Sequence, residues 1–449
     1  MVSRAAAPGW VPTRSRRAVP VAAVIVAVGQ AAVMWMGVTS ESSGALRAPG
    51  GVLTFFGQLT GLAGAYLMLI MLLLVSRLPW VEQAAGQDRL VRWHRLLGQW
   101  PVYLIVLHVV LITAGYAEGD HTGVVHQFVE FLQSYPDVLM ATVALVLIAA
   151  AAISSIRAAR RRMRYETWWS AHLYLYLALA LAFSHQIANG ESFVGHPLAR
   201  AFWAVLWGAT AGVVLVFRFL VPLGRSWYHD LRVVGVQQET PGVFSVVCRG
   251  RHLDRLRVEG GQFFHWRFLA RGHWWLAHPY SVSALPRADV IRLTVKDLGD
   301  HSADLARAPV GTRVAIEGPY GAFTRRAGDR HKVLLIGAGV GVTPIRALLE
   351  HLSTRIDVTL ILRATTEEEV VFRSEFESLM RRRKGRMIVL AGSRADHPLD
   401  RQHLAQLVPD IAQRDVYVCG PEALAVQVAA IARVLGVPER NIHREQFAF

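Results

Sequence analysis

The sequence predicts a multidomain membrane protein: a bundle of six spanning helices, then an antiparallel β-barrel, then a parallel-sheet α/β domain. Three observations predict it. Six long apolar runs fill the first half, alternating short segments follow residue 224, and a strand–glycine–helix pattern opens near 331. The 449 residues are 53% hydrophobic and only 18% charged, against the quarter or so charged that is usual in soluble domains. That balance excludes intrinsic disorder, a fibrous protein and an all-soluble one. The two cysteines, Cys248 and Cys419, are too few for a disulfide framework, a cysteine zinc site or a cysteine-ligated cluster.

The apolar runs lie near 18–38, 51–75, 95–115, 137–156, 170–189 and 198–221. A helix of about 20 residues crosses roughly 30 Å of hydrocarbon. The first run follows a basic stretch as a signal peptide would. It is longer than a signal's apolar region and has no clear small-x-small site after it, so it reads as a retained span. Lys/Arg placement sets orientation. Basic residues gather at Arg4, Arg14, Arg16 and Arg17, at Arg77, Arg89 and Arg92, and at Arg157, Arg160, Arg161, Arg162 and Arg164; the alternate loops hold Glu41, Glu118, Asp120, Glu130 and Glu191. Both termini are therefore expected in the cytoplasm, with the acidic loops outside. Much of the net charge of +15 is then topological. The expected partner is the lipid bilayer and not nucleic acid.

His94 and His108 fall on the third span, His172 and His185 on the fifth. Ionisable residues within spans are costly and tend to be functional. Fourteen positions of ideal helix bring His94 and His108 to within about 40° of one face, about 21 Å apart. Parallel spans then set His94 level with His172, and His108 level with His185. Two imidazoles at one depth are what bis-histidine haem ligation needs, so two stacked haems are expected. Thirteen positions leave His172 and His185 about 140° off register, which a local tightening or a different haem tilt must absorb. The plain alternative is four buried, hydrogen-bonded histidines. Arg92, Arg95 and Arg164 read as positive-inside anchors before propionate partners.

The second half carries its chemistry in ordered motifs. Residues 225–325 alternate apolar and polar, as in FSVVCRG, VIRLTV and RVAIEG, which predicts the barrel. HPYSVS spans 278–283, KDLGDHS 296–302 and EGPYG 317–321. GAGVGVTP at 337–344 lies between the strand KVLLI and a helix. Glycines there let the backbone approach a pyrophosphate, and the helix N-terminus favours its charge. CGP follows at 419–421, and the chain ends EQFAF.

HPYS, GxGxGxTP, CGP and a final aromatic, in that order, resemble the ferredoxin–NADP reductase superfamily. The four membrane histidines resemble the ferric reductase transmembrane domain. Together the motifs resemble the ferric reductase / NADPH oxidase family, and more closely its bacterial members. The resemblance covers nearly the whole chain. It implies a six-span ferric reductase-like haem-binding bundle over 1–224, an FAD-binding barrel over 225–325 and an NAD(P)-binding α/β domain over 326–449.

The resemblance also implies roles. His94, His108, His172 and His185 would ligate two haem b groups. His278, Pro279, Tyr280, Ser281, Val282 and Ser283 would line the flavin, with Tyr280 on the ring and Ser281 near its N5. Soluble relatives usually carry Arg where His278 stands, whereas the membrane oxidases carry His. Lys296, Gly299, His301 and Ser302 match the segment holding the flavin pyrophosphate. Gly337, Gly339, Gly341, Thr343 and Pro344 would hold the nicotinamide nucleotide. Cys419, Gly420 and Pro421 would border the nicotinamide, and Phe449 would cover the flavin, so that Ser281, Cys419 and Phe449 stand where hydride passes. Taken singly, Tyr280 reads equally as a barrel-core aromatic, Cys419 as a small buried residue and Phe449 as a docked terminus.

Arg363 ends the second strand of the α/β domain, where a 2′-phosphate would lie, and Ser393 and Arg394 follow the third. These favour NADPH, although Glu367 to Glu369 lie close by and NADH stays open. The activity expected is electron transfer from cytoplasmic NADPH through FAD and the two haems to an acceptor outside the cell membrane. Oxygen, ferric or cupric chelates and a partner redox protein all remain open as acceptors. His121 and His126 in the outer loop 116–136 read as a solvated polar loop before a metal-collecting one. A membrane-anchored flavoprotein reductase, or a haem subunit serving a partner, is the competing reading.

Overall fold

A computed structural model describes residues 18–445 apart from 161, 164, 271–273 and 394. The chain divides into two compact units, 16–218 and 219–449.

In the first unit the apolar helices are α1 (Ala18–Ser40), α2 (Gly51–Val75), α3 (Gln87–Leu97), α4 (Gln99–Gly119), α5 (Val124–Ser134), α6 (Val138–Ser155), α7 (Tyr165–Asn189) and α8 (Pro197–Val214). By length and composition, six stretches among the described residues can cross a membrane, including Arg89–Gly119 across α3 and α4. Their outward faces are apolar, with Val24 60% and Val205 69% exposed, as lipid in place of water demands. The interior is cemented by Leu62, Tyr66, Leu69, Leu179, Phe193 and Trp203. No helix needs another for backbone hydrogen bonds, so close side-chain packing holds the bundle.

The third span is not one straight helix. α3 stops at Leu97 and α4 begins at Gln99. Pro101 supplies the cause: it has no N–H to donate, and its ring crowds the carbonyl four residues back, at Leu97. The interruption is slight: Gly98 keeps helical dihedrals (φ −60°, ψ −21°), its N–H donates to the His94 carbonyl, and Arg89–Gly119 runs as one apolar stretch carrying both His94 and His108. A second proline acts similarly at the sixth span, where Leu215–Leu220 winds as a wider π-turn before α9 (Val221–His229) and Pro222.

In the second unit, six strands close an antiparallel barrel: β1 (Leu231–Thr240), β2 (Val243–Arg249), β3 (Phe263–Phe268), β4 (His278–Arg287), β5 (Val290–Lys296) and β6 (Arg313–Tyr320), in the order β1-β2-β5-β4-β3-β6. Closure removes free edges. Its interior is filled by Val233, Phe244, Phe264, Trp266, Val282 and Leu293. The short helix α10 (Asp300–Leu305) lies between β5 and β6.

The α/β part holds β7 (Lys332–Ala338), α11 (Val342–His351), β8 (Asp357–Ala364), α12 (Arg373–Met380), β9 (Gly385–Ala391), α13 (Arg401–Leu407), β10 (Asp415–Cys419), α14 (Glu422–Val434) and β11 (Ile442–Glu445). The five strands form a parallel sheet in the order β11-β10-β7-β8-β9. Buried apolar side chains cover both faces, which is why these strands read as continuous apolar runs. The reversal of strand order beside β7 puts the ends of β7 and β10 at the crevice where such sheets bind nucleotides.

Candidate functional site

In the first unit the four histidines come together as two pairs. The rings of His94 and His172 have centres 6.1 Å apart and planes at 76°. A first-row metal sits about 2 Å from an imidazole nitrogen. Two such bonds to one metal ion allow ring centres about 6 Å apart, so the spacing would let both imidazoles hold the same iron. Trp168 stacks on His172 at 5.3 Å, with Arg160 4.8 Å above the indole.

His108 and His185 line one cavity of about 230 Å³ together with Leu62, Tyr116, Phe131, Tyr135 and Trp207. Its wall is mostly apolar, as a flat hydrophobic cofactor requires.

Hydrogen bonds behind the rings set their chemistry. His94 Nδ1 lies 3.2 Å from the Met71 carbonyl, and His108 Nδ1 lies 2.8 Å from the Gly57 carbonyl. A carbonyl can only accept, so Nδ1 carries the proton and donates. In the neutral ring that leaves the Nε2 lone pair for a metal. His172 Nδ1 and His185 Nδ1 are buried without a hydrogen-bond partner among the described residues. Gly61 makes room for His108: a Cβ there would lie 2.6 Å from Nδ1. Sequence reasoning named the histidines but missed Gly57, Gly61, Met71 and Trp207. Trp207 is 9% exposed and its indole N–H has no acceptor among the described residues.

In the second unit β4 carries the HPYSVS segment between β3 and β5. Ser281, Val282 and Ser283 are buried, whereas Pro279 is exposed and His278 and Tyr280 are half-buried. His278 and Tyr280 alternate onto one face, with ring centres 6.0 Å apart. Burial pushes the Tyr280 hydroxyl up to about 12. Trp266 donates its indole N–H to the Tyr280 carbonyl at 2.9 Å and pins the strand. The buried Ser281 hydroxyl has no hydrogen-bond partner among the described residues, which leaves it for a bound group such as a flavin ring nitrogen.

Lys296 ends β5 and is exposed. Gly299, with φ 143°, precedes α10. The Ser302 hydroxyl accepts from Leu298 N at 2.8 Å and donates to the Gly299 carbonyl at 2.9 Å. Asp297, which sequence reasoning passed over, accepts from Gly299 N and Ser302. The side chain of His301 lies outside the described residues, as do Phe449, Arg394 and Arg164.

The glycine motif links β7 to α11. Gly339 takes φ +55°, a left-handed turn that a Cβ would strain. A Cβ on Gly341 would lie 2.3 Å from the Cys419 carbonyl oxygen and 2.6 Å from Gly420 N, so this turn lies directly against the CGP segment. Thr343 donates to the Val340 carbonyl at 2.8 Å. Gly337 pairs in register with Cys419, which pairs in turn with Glu445. Cys419 is fully buried, and burial first, then the Glu445 charge, push its thiol far up. It is a neutral small side chain, not a thiolate nucleophile. Glu445 was missed in the sequence because nothing there shows that β11 adds beside β10.

Arg363 departs from expectation. Its guanidinium donates to the carbonyls of Ala364 at 2.9 Å, Leu390 at 2.7 Å, Gly392 at 2.9 Å and Ser393 at 2.8 Å. The charge is committed to stapling the β8 and β9 ends, so a phosphate must compete with four carbonyls for it.

Residues 60–183 match the ferric reductase like transmembrane component, and residues 335–430 match the oxidoreductase NAD-binding domain. An NADPH oxidoreductase of Mycobacterium tuberculosis is 28% identical over 228 residues, covering 48% of this chain and 59% of that protein. A superoxide-generating NADPH oxidase heavy chain of Dictyostelium discoideum is 24% identical over 239 residues, 47% of this chain and 41% of that one. The solved flavohem-like FAD/NAD binding domain of nitric oxide dioxygenase from Vibrio cholerae is 26% identical, covering 49% of this chain and 98% of its own, with a TM-score of 0.42. The chain thus spans less than two thirds of the first of these relatives.

Fold and site define a class: multi-pass membrane proteins that join a ferric reductase-like helical component to a reductase module for flavin and nicotinamide nucleotide. Within that class, the chain carries the ferric reductase like transmembrane component over 60–183 and the oxidoreductase NAD-binding domain over 335–430.

Proposed function

We propose that the chain is a transmembrane oxidoreductase that takes electrons from cytoplasmic NAD(P)H, through FAD and two b-type haems, to an acceptor outside the cell membrane. Oxygen, giving superoxide, and ferric or cupric chelates are the acceptors proposed. When bound, the flavin splits a hydride into single electrons and the haem irons relay them. The protein's own part is placement. His94 with His172, and His108 with His185, would hold the two irons; Met71 and Gly57 hold two of those rings in the ligating tautomer. Tyr280 and Ser281 would bind the flavin ring, and Lys296, Gly299, His301 and Ser302 its pyrophosphate. Gly337 to Pro344 would seat the dinucleotide, with Cys419, Gly420, Pro421 and Phe449 around the nicotinamide. Both termini lie in the cytoplasm in this reading, and the functional parts divide at 224/225 and 325/326.

The observation that carries the proposal is the His94–His172 pair, 6.1 Å between ring centres, on two stretches each long and apolar enough to span a bilayer. Protein purified in detergent and given NADPH without oxygen should develop the visible bands of reduced bis-histidine haem. Oxygen and a ferric chelate, added separately, then identify the faster oxidant. A flavin spectrum with no Soret band in haem-replete preparations would leave a membrane-anchored flavoprotein reductase that serves a separate redox protein.

Nucleotide choice gives a second test. Arg363→Ala strips donors from four carbonyls and is expected to cost about 1–3 kcal/mol of stability. It should change kcat/KM for NADPH and NADH by the same factor. A loss confined to NADPH would return the 2′-phosphate to Arg363.

A further inference from the structure

The seam between the barrel and the α/β part holds charges that the proposed function leaves unused. Glu375, on α12, accepts both terminal nitrogens of Arg292 from β5, at 2.7 and 2.9 Å, and Nε of Arg346 from α11 at 2.7 Å. Arg292 Nε in turn donates to the Ser283 hydroxyl of β4 at 3.0 Å, and its guanidinium lies 4.6 Å over the Phe372 ring. Glu350, also on α11, accepts the backbone N–H of Leu285 in β4 at 3.0 Å and pairs with Arg346 and Arg287.

Part of this network is shielded and part is not, Glu375 being 30% and Arg287 74% exposed. The Arg346 and Glu350 side chains are each 8% exposed and that of Arg292 is 17% exposed. Taking ions out of water costs about as much as their attraction returns, so an apolar seam would serve stability equally well. What the ions add is direction, because a two-pronged Arg–carboxylate bond tolerates little sliding.

The elements they join are the ones that matter for hydride transfer. Ser283 stands two residues beyond Ser281 on β4, with a register shift between Val282 and Ala284, and both serines are buried. α11 is the helix that the glycine motif opens. Resting on the proposed function, we infer that Glu375 and Glu350 are positioning residues. They lock α11 to β4 and thereby set how closely the nicotinamide approaches the flavin edge at Ser281.

The test is anaerobic stopped-flow reduction of the flavin by NADPH in the full-length protein. Glu375→Gln keeps the side-chain volume and removes the charge that holds two guanidiniums together. Its limiting rate at saturating NADPH should fall tenfold or more. The half-saturating NADPH concentration and the flavin content should stay within twofold of the parent. Glu375→Asp keeps the charge and should recover part of the rate; it also reads the same seam should the Gln variant fail to accumulate.

A flavin-loaded Gln variant with a parental limiting rate overturns the inference, and so does an Asp variant no faster than the Gln one. So does a rate loss that only follows lost flavin. A parent chain whose flavin NADPH does not reduce would instead remove the proposed function itself.

Discussion

A chain carrying His108→Ala is expected to hold one haem where the parent holds two, and to lose electron delivery to the outer acceptor. Three features make this effect large. His108 is placed, not merely present: the Gly57 carbonyl fixes its tautomer at 2.8 Å, and the missing side chain of Gly61 gives the ring its space. Its partner His185 is the other imidazole lining the same mostly apolar cavity. Loss of the hydrogen-bond partner behind a ligand costs about 10–100-fold at metal sites, and loss of the ligand itself should exceed about 100-fold.

Haem per protein, measured as the pyridine complex, and reduction of an external ferric chelate would both be followed. Flavin reduction by NADPH should stay at the parental rate, since His108 and the nucleotide site belong to different units. Two haems per chain in the variant would show that His108 is a hydrogen-bonded core histidine and no ligand. Gly61→Val should lower haem content in the same direction, by pushing the ring off its carbonyl.

The second large effect is expected at Gly341. A Cβ there meets the Cys419 carbonyl oxygen at 2.3 Å, the carbonyl carbon at 2.5 Å and Gly420 N at 2.6 Å. All three atoms are backbone, so no rotamer change relieves the clash. Gly341→Ala must push the glycine turn away from the CGP segment. Such overpacking costs about 1–3 kcal/mol, and the displaced turn carries the N–H groups meant for a pyrophosphate. The expected result is a tenfold or larger rise in KM for NADPH and a lower unfolding midpoint, with haem content unchanged. Parental KM and stability together would show that the turn has slack. Gly339→Ala is the informative comparison. Nothing lies within 4 Å of its Cβ position, so its cost comes from the left-handed φ alone and should be smaller.

Much of the architecture is legible in the sequence because its signals are local. A span announces itself by some twenty apolar residues, and all six expected runs correspond to long apolar helices. The barrel strands alternate, and the parallel strands run apolar throughout because both sheet faces are covered. The glycine motif declares its turn because glycine is favoured at the left-handed φ of Gly339 and only glycine allows the approach at Gly341. The histidines stand out because an ionisable group in a span is expensive.

Other features depend on groups that sequence does not distinguish. Every residue has a carbonyl, so nothing marked Met71 and Gly57 as acceptors for the histidine rings. The turn at Gly98, one turn before Pro101, was likewise not marked in advance. Arg363 looked like a phosphate ligand from its strand-end position, yet four nearby carbonyls claim it.

By itself, then, the sequence determined which segments are long and apolar enough to span, and in what order the histidines and the flavin- and nucleotide-type motifs fall. Local composition and periodicity suffice for that. The pairing of His94 with His172 and of His108 with His185 also followed from the spacing, whereas only the tertiary structure decided which ring nitrogen is left free and that Glu445 lies beside Cys419. It alone joined Glu375 to arginines 83 and 29 residues away in the chain. These are contacts between distant segments, where directional hydrogen bonds and excluded volume choose one arrangement among many that the same local patterns allow.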